Sequence, residues 1–348
     1  MQIASMHFKE RAHDKLNDVE LQRNLAKIQG KFVNKRREAL TELDDVDATR
    51  DVARDIRQRA LDNLDVWLEM FERNATARGA TVLWAETPAD VNKLVLEIAF
   101  RHGVQRIIKS KSMVSEESAL DHAIEGAGLK VVETDLGEYI LQINGYEPPS
   151  HIIGPALHKS KEEVSELFAR QHGTARKDDI AALCLEARGV LREHYLGADM
   201  GISGGNFFVA ESGSVVLVTN EGNATLTTTL PKVHVAISGI EKIVPTLEDV
   251  ATLMRLLPRS ATGQSISNYV DILTGPKGEG EFHGAEHMYF SLVDCGRTAV
   301  LASDAKSRPK DPQPFYYLGV VERAEGDLPA AIRDLERSAD LDPKNAKV

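Results

Sequence analysis

Residues 81–133 read TVLWAETPADVNKLVLEIAFRHGVQRIIKSKSMVSEESALDHAIEGAGLKVVE, and in them three short apolar runs alternate with two amphipathic stretches. Residues 81–85, 106–108 and 129–132 are short, mostly apolar runs, while 88–102 and 113–127 repeat their apolar side chains at helical spacing. Pro88 suits the first turn of its helix, and Gly103 stands where that helix stops. A β-α-β-α-β order places helices on the faces of a parallel sheet, with right-handed crossovers. The expected fold class is α/β, a mainly parallel sheet within one domain over residues 81–302.

On the amino side of this stretch the pattern is helical. Leu21, Leu25, Ile28 and Phe32 recur at helical spacing, and Val52, Ile56, Leu64, Trp67, Leu68 and Phe71 continue the pattern among alternating charges that read as a solvated face. On the carboxyl side we expect a short strand at 151–153 and a helical stretch over 161–196 interrupted near Gly173. Strands follow at 206–210, 214–219 and 233–237, with no helix between them. A helix at 247–257, a Gly/Pro-rich loop at 275–284 and strands at 288–294 and 299–302 complete the region. The chain divides into a helical extension (1–78), an α/β domain (79–304) and a helical tail (309–348). In the tail Phe315, Leu318-Gly319, Gly326-Asp327, Ala330-Ala331, Leu335 and Asp342-Pro343 fit one tetratricopeptide unit, a helix pair that cannot bury its apolar face alone.

Composition narrows the function. The 348 residues carry 42 basic and 53 acidic side chains, a net charge of −11 that argues against a nucleic-acid coat or a polybasic membrane surface. No apolar run approaches the ~18 residues of a membrane span, and the start lacks a signal-peptide core. Cys184 and Cys295 cannot build a disulfide framework, so a cytoplasmic location is expected. Two cysteines are also too few for a four-thiolate iron–sulfur cluster. Cys184 shares a helix with Ile180, Leu183 and Ala187 and is expected to be buried; Cys295 is expected in a turn between two strands.

Several motifs fail on context. Gly201-Ile202-Ser203-Gly204-Gly205 matches G-x-S-x-G, but a strand follows it where a nucleophile elbow needs a helix. His283-Gly284-Ala285-Glu286-His287 matches H-x-x-E-H, yet a glycine-rich loop and a strand flank it, so no zinc site is expected. No P-loop or dinucleotide fingerprint is present.

Other segments carry candidate chemistry. Lys109-Ser110-Lys111-Ser112 lies where a strand gives way to a helix; its lysines suit a carboxylate or phosphate, or Ser112 simply caps the helix. Glu133-Thr134-Asp135-Leu136-Gly137-Glu138 crowds three carboxylates after the next strand, as a surface turn, or as a site that includes Glu133 and Glu138 for acid–base work or for pairing those lysines. Glu211 precedes the strand 214–219, and Asn220, Glu221 and Asn223 follow it, offering the donor–acceptor mix of a small-molecule pocket. The loop holding Gln264 is a candidate to close over that pocket. These ten residues form the expected substrate site, gathered at the carboxyl edge of the sheet.

The ordered set of segments resembles the LUD-domain family of lactate utilization, in its LutB-type iron–sulfur branch. The phrases are residues 109–117, 132–140, 149–156, 201–207, 220–223, 239–245, 261–264 and 294–297, colinear from His7 to Ser303. The resemblance implies the fold of the NagB/RpiA/CoA-transferase-like group, and a cytosolic oxidoreductase complex that oxidises L-lactate to pyruvate. It implies other lactate-utilization subunits as partners and electron transport through two [4Fe–4S] clusters held in a ferredoxin-like domain beyond the D-x-G-R segment. No cysteine follows Asp304 here, so this chain is expected to act as a subunit without clusters of its own. The alternatives are a stand-alone sugar-phosphate or acyl-CoA enzyme using Glu211 or Glu221, and a non-catalytic binding module.

Overall fold

The computed structural model describes residues 7–303, 315–316 and 328–341. Four helices open the chain: α1 (Phe8–Asn17), α2 (Val19–Leu40), α3 (Val46–Asp62) and α4 (Leu64–Ala77). Then come β1 (Thr81–Ala85), α5 (Pro88–Arg101), β2 (Arg106–Lys109), α6 (Met113–Glu117), α7 (Leu120–Gly126), β3 (Lys130–Glu133), α8 (Leu136–Ile143), α9 (Lys161–His172), α10 (Ile180–Leu196) and β4 (Met200–Ser203). The second half holds β5 (Phe207–Val209), β6 (Ser214–Thr219), α11 (Asn223–Thr229), β7 (Val233–Gly239), β8 (Ile243–Val244), α12 (Leu247–Met254), α13 (Leu257–Thr262), β9 (Tyr269–Leu273), β10 (His287–Val293) and α14 (Arg297–Ser303). A further helix covers Leu328–Leu341.

Six strands form a fully parallel sheet in the order β1-β10-β7-β4-β2-β3. Helices flank it, as the expected α/β class requires. From β2 the chain steps outward to β3, then returns through β4 and β7 to β10. The direction therefore reverses beside β2 and β4, where open parallel sheets leave a crevice at their carboxyl ends. Local sequence fixes the flanking helices: Thr87 and Asp90 close a capping box on α5 with Pro88 in its first turn, and Ser160 and Glu163 do the same for α9. Gly173, at φ +67°, ends α9 in the left-handed conformation.

A second sheet, β8-β5-β6-β9, packs on the first. Phe71 of α4 meets Phe208 of β5 edge-on at 5.1 Å, and both pack against Phe290 of β10, so α4 and the two sheets share one core. The helical extension is fastened to this side, with α2 along α13 and α3 along α12. Arg259 donates to the Ala39 carbonyl at 3.1 Å and pairs with Glu42.

Several expectations are corrected. Residues 297–303 form α14 rather than a strand, so Cys295 (φ +45°) turns β10 into a helix. Residues 151–153 are a bend, α11 interrupts the expected all-strand region, and β9 is additional. Cys184 is exposed. Leu183, Ala187 and Leu191 make the buried stripe of α10, and Cys184 lies about 100° round the helix from Leu183. The tetratricopeptide reading falls largely outside the described residues; within them Phe315, Ala330 and Ala331 are buried and Arg337 covers the Phe315 ring at 4.1 Å.

Candidate functional site

Strands β2 and β3 pair in register so that Lys109 and Glu133, the last residue of each, stand side by side. Lys109 is 1% exposed, and a buried ammonium needs partners to offset its lost hydration. It forms an ion pair with Glu133, lies 3.6 Å from Asp121 of α7 and donates to Ser115 Oγ at 3.2 Å. Burial alone would lower the Lys109 pKa, but Glu133 and Asp121 outweigh it and hold the lysine charged. The carboxylates are not compensated in turn. Burial pushes Glu133 upward, with Lys109 pulling it only part of the way back. Glu138, in the first turn of α8, is pushed up to about 7 by burial and by the charge of Glu116. Burial raises Glu116 as well.

This group floors a cleft of about 1000 Å³ walled by α1, α6, α7, α8 and the segment 145–149. Of the expected site residues it takes in Lys109, Glu133 and Glu138. Lys111 lies beside it, pairing with Asp135 at 3.1 Å and donating to the Ile153 carbonyl at 3.2 Å. Asp135 also caps α8 through the Gly137 and Glu138 amides. Glu221 joins this second group, near the Leu136 amide and within electrostatic reach of Asp135 and Lys111. The loops after β2, β3 and β6 thus meet at the carboxyl edge.

The other expected residues are spent on local structure. Ser112 caps α6, accepting from Ser115 N at 3.4 Å. Asn220 and Gln264 bond each other at 2.8 Å, tying the β6–α11 loop to the α13–β9 loop. Asn223 accepts from Thr219 at 3.0 Å. Glu211 stands apart, accepting from the Leu247 amide at 2.6 Å at the start of α12. It precedes β6 while Asn220 follows it, and six strand residues separate the two by roughly 20 Å. Asp121, Ser115, Asp135 and Tyr146 carry the geometry and were not among the expected residues. The signal for Asp135 lay in its own acidic run; Asp121 sits in an ordinary amphipathic helix and gave none.

The G-x-S-x-G segment is closed to substrate. Ser203 and His234 are both 0% exposed and bond each other at 2.8 Å, and burial drives the His234 pKa down to about 3. Gly201 serves packing: a Cβ there would lie 1.9 Å from the Thr227 carbonyl of α11. Residues 283–287 are loop and strand start rather than one helix face. Among the described residues no group of three or more His, Cys, Asp or Glu is placed to hold a metal ion. Cys184 on α10 and Cys295 after β10 do not fit the ligand set of a four-thiolate cluster.

The family model described as the LUD domain matches residues 68–287, from α4 to the start of β10. The chain belongs to the LUD domain family. Lactate utilization protein B of Geobacillus sp. (strain WCH70) is 42% identical over 304 residues, covering 87% of this chain and 64% of that protein. Lactate utilization protein B of Bacillus licheniformis is 41% identical over 307 residues, 88% of this chain and 64% of that protein. This LUD chain therefore matches just under two thirds of these relatives' length. A crystal structure of a DUF162 family protein from Deinococcus radiodurans covers 66% of this chain and 98% of its own, with TM-score 0.39 and 13% identity. No helix among the described residues is long and apolar enough to cross a membrane.

Proposed function

We propose that this LUD protein is a LutB-type lactate-utilization subunit, working with other such subunits in a cytoplasmic complex that oxidises L-lactate to pyruvate. The observation that supports this reading is the match to B-type proteins at 42% identity over 304 residues, which spans the whole carboxyl-edge site. The substrate is a small hydroxy acid. Its carboxylate exchanges with Asp135 on Lys111, and its hydroxyl faces Glu138. Oxidation releases two electrons and two protons from lactate. Glu138, half-ionised near neutral pH, is suited to take the hydroxyl proton. The Cα–H bond gives up the second proton, which leaves to solvent, and the two electrons, which require an acceptor that this chain's two cysteines do not supply; we assign it to iron–sulfur clusters of a partner subunit.

Thermal-shift measurements test the reading, because a ligand at 100 times its dissociation constant stabilises its protein by roughly 2.7 kcal/mol. L-Lactate and pyruvate should raise the melting temperature of the wild type and leave Lys111→Ala unmoved. Stabilisation by a sugar phosphate or an acyl-CoA, with none by lactate or pyruvate, would replace this reading with a stand-alone transferase or isomerase.

A further inference from the structure

The geometry points to a second ligand in the same region: the cleft beside Lys109 binds a small organic cation, an ammonium or guanidinium on an apolar body. The cation sits at Glu133, Asp121 and Glu138, and the body lies against Tyr146. This does not rest on the hydroxy-acid reading, which uses Lys111 and shares only Glu138 with it.

Three observations carry it. The first is the charge balance of the lining: among the described residues five carboxylates (Glu116, Asp121, Glu133, Glu138 and Glu147) face two ammonium groups, Lys15 and Lys109. Lys109 is already claimed by Glu133 and Asp121, and Glu147 is matched by Lys159 at 2.6 Å. Among the described residues, no cation stands within ion-pair distance of Glu116 or Glu138. An anionic ligand beside Lys109 would have to break its buried pairs and could otherwise meet only the exposed Lys15, whereas a cation needs to break nothing.

The second is a pair of buried acceptors left over. Glu133 is 96% buried and lines the cleft, yet its Oε2 has no hydrogen-bond partner; Asp121 Oδ1 faces Lys109 at 3.6 Å but accepts no hydrogen bond. Buried carboxylate oxygens are costly to leave unbonded. An ammonium or guanidinium brings several N–H donors to one point.

The third is an aromatic wall. The Tyr146 and His122 rings line the cleft with centroids 5.0 Å apart. Tyr146 holds φ +60° directly after Gly145 at φ +81°, a strained pair for a tyrosine. Its hydroxyl donates to Glu125 at 2.5 Å and accepts from Gln142 at 3.1 Å, which fixes the ring. Aromatic faces beside carboxylates attract organic cations through the ring quadrupole. A volume of about 1000 Å³ with Leu120, Leu141 and Pro149 in its walls suits an organic body rather than a bare ion.

Isothermal titration of the full chain with 2-phenylethylamine, its neutral isostere 2-phenylethanol and the anion 3-phenylpropanoate tests this. The amine should bind at least tenfold more tightly than the alcohol, and the anion not at all. Amine binding should tighten from pH 6 to pH 8 and release protons, visible as a buffer-dependent heat. The groups facing Glu138 are Glu116 from α6, Lys109 and Lys111 from and after β2, Glu133 from β3 and Asp135 at its own helix start. Lys109 is held charged over that pH range by Glu133 and Asp121, so the carboxylates set the direction. Asp121→Asn and Tyr146→Leu should each weaken the amine fivefold or more, while Tyr146→Phe, which keeps the ring, should retain it. Circular dichroism checks that each variant folds. Equal binding of amine and alcohol, tighter binding of the carboxylate, binding of Mn²⁺ but not of the amine, or no amine binding at millimolar concentration overturns the proposal.

Discussion

Two buried ionic networks lie within this α/β domain, and they are built to opposite rules. Between α9 and α10, Glu186 accepts from Lys177 at 2.5 Å, Thr174 at 2.6 Å and His172 at 2.9 Å, and the far nitrogen of His172 meets Tyr139 of α8 at 2.9 Å. Burial would raise the Glu186 pKa, but those hydrogen bonds outweigh it and hold it at about 2. At the carboxyl edge, among the described residues, one lysine serves two carboxylates, two more have no lysine of their own, and two buried oxygens accept no hydrogen bond. There the carboxylate pKa values move up. A network with its donors supplied by the fold is a staple across three helices. A network short of donors is arranged for something that arrives from outside.

The largest effect should come from the cation that holds the carboxyl edge together. Lys109→Met leaves Glu133 and Asp121 buried without their partner and should cost ~3–5 kcal/mol in urea unfolding. Adding Glu133→Leu should recover much of that, since a paired set of apolar replacements removes the stranded charge. If the single variant costs under about 1 kcal/mol, the edge network is not the buried ion cluster described here.

Next in size is a contrast of sign. Glu186→Gln should destabilise by ~1–3 kcal/mol at pH 7, as bonds to a charged acceptor are lost. The folded pKa of Glu186 is depressed, so its contribution is present above about pH 4.5 and disappears as the pH falls toward about 2. Glu138→Gln should do the reverse. Its folded pKa is raised to about 7, so the wild type loses stability as the pH climbs from about 4.5 through 7. The glutamine variant should therefore gain up to ~3 kcal/mol at pH 8 and nothing at pH 4. Melting curves at pH 4, 6 and 8 read both, and two shifts of the same sign at pH 8 would erase the distinction.

How much of this was legible differs between the two networks. The parallel sheet was written in residues 81–133 through period and punctuation, since Pro88, Gly103 and the apolar runs act locally. Lys109 and Glu133 were legible too, because each ends a short apolar strand and adjacent parallel strands in register set their last residues side by side. Asp121 and Tyr146 reach the cleft only through tertiary placement, and His172 and Glu186 meet only once α9 folds back along α10. The misread helix at 297–303 has a comparable cause. Thr298 and Val300 suit a strand by propensity, but Asp294 accepts from the Thr298 amide and hydroxyl and turns the chain into a helix.

The smallest effect should come from Cys184, two residues from Glu186 on the same helix. If α10 were held by helix propensity or by its surface, a change here would register alongside Glu186→Gln. The side chain is exposed and points away from the Leu183–Ala187–Leu191 stripe, so Cys184→Ser removes no packing and strands no polar atom. Exposed substitutions of this kind stay within ~0.5 kcal/mol. Cys295, partly buried in its turn, has its thiol pKa pushed up by burial. A thiol reagent at pH 7.5 should therefore modify Cys184 well before Cys295, without shifting the melting temperature. Destabilisation by Cys184→Ser comparable to Glu186→Gln would mean that the whole helix surface, rather than the hydrogen-bonded carboxylate, fastens α10.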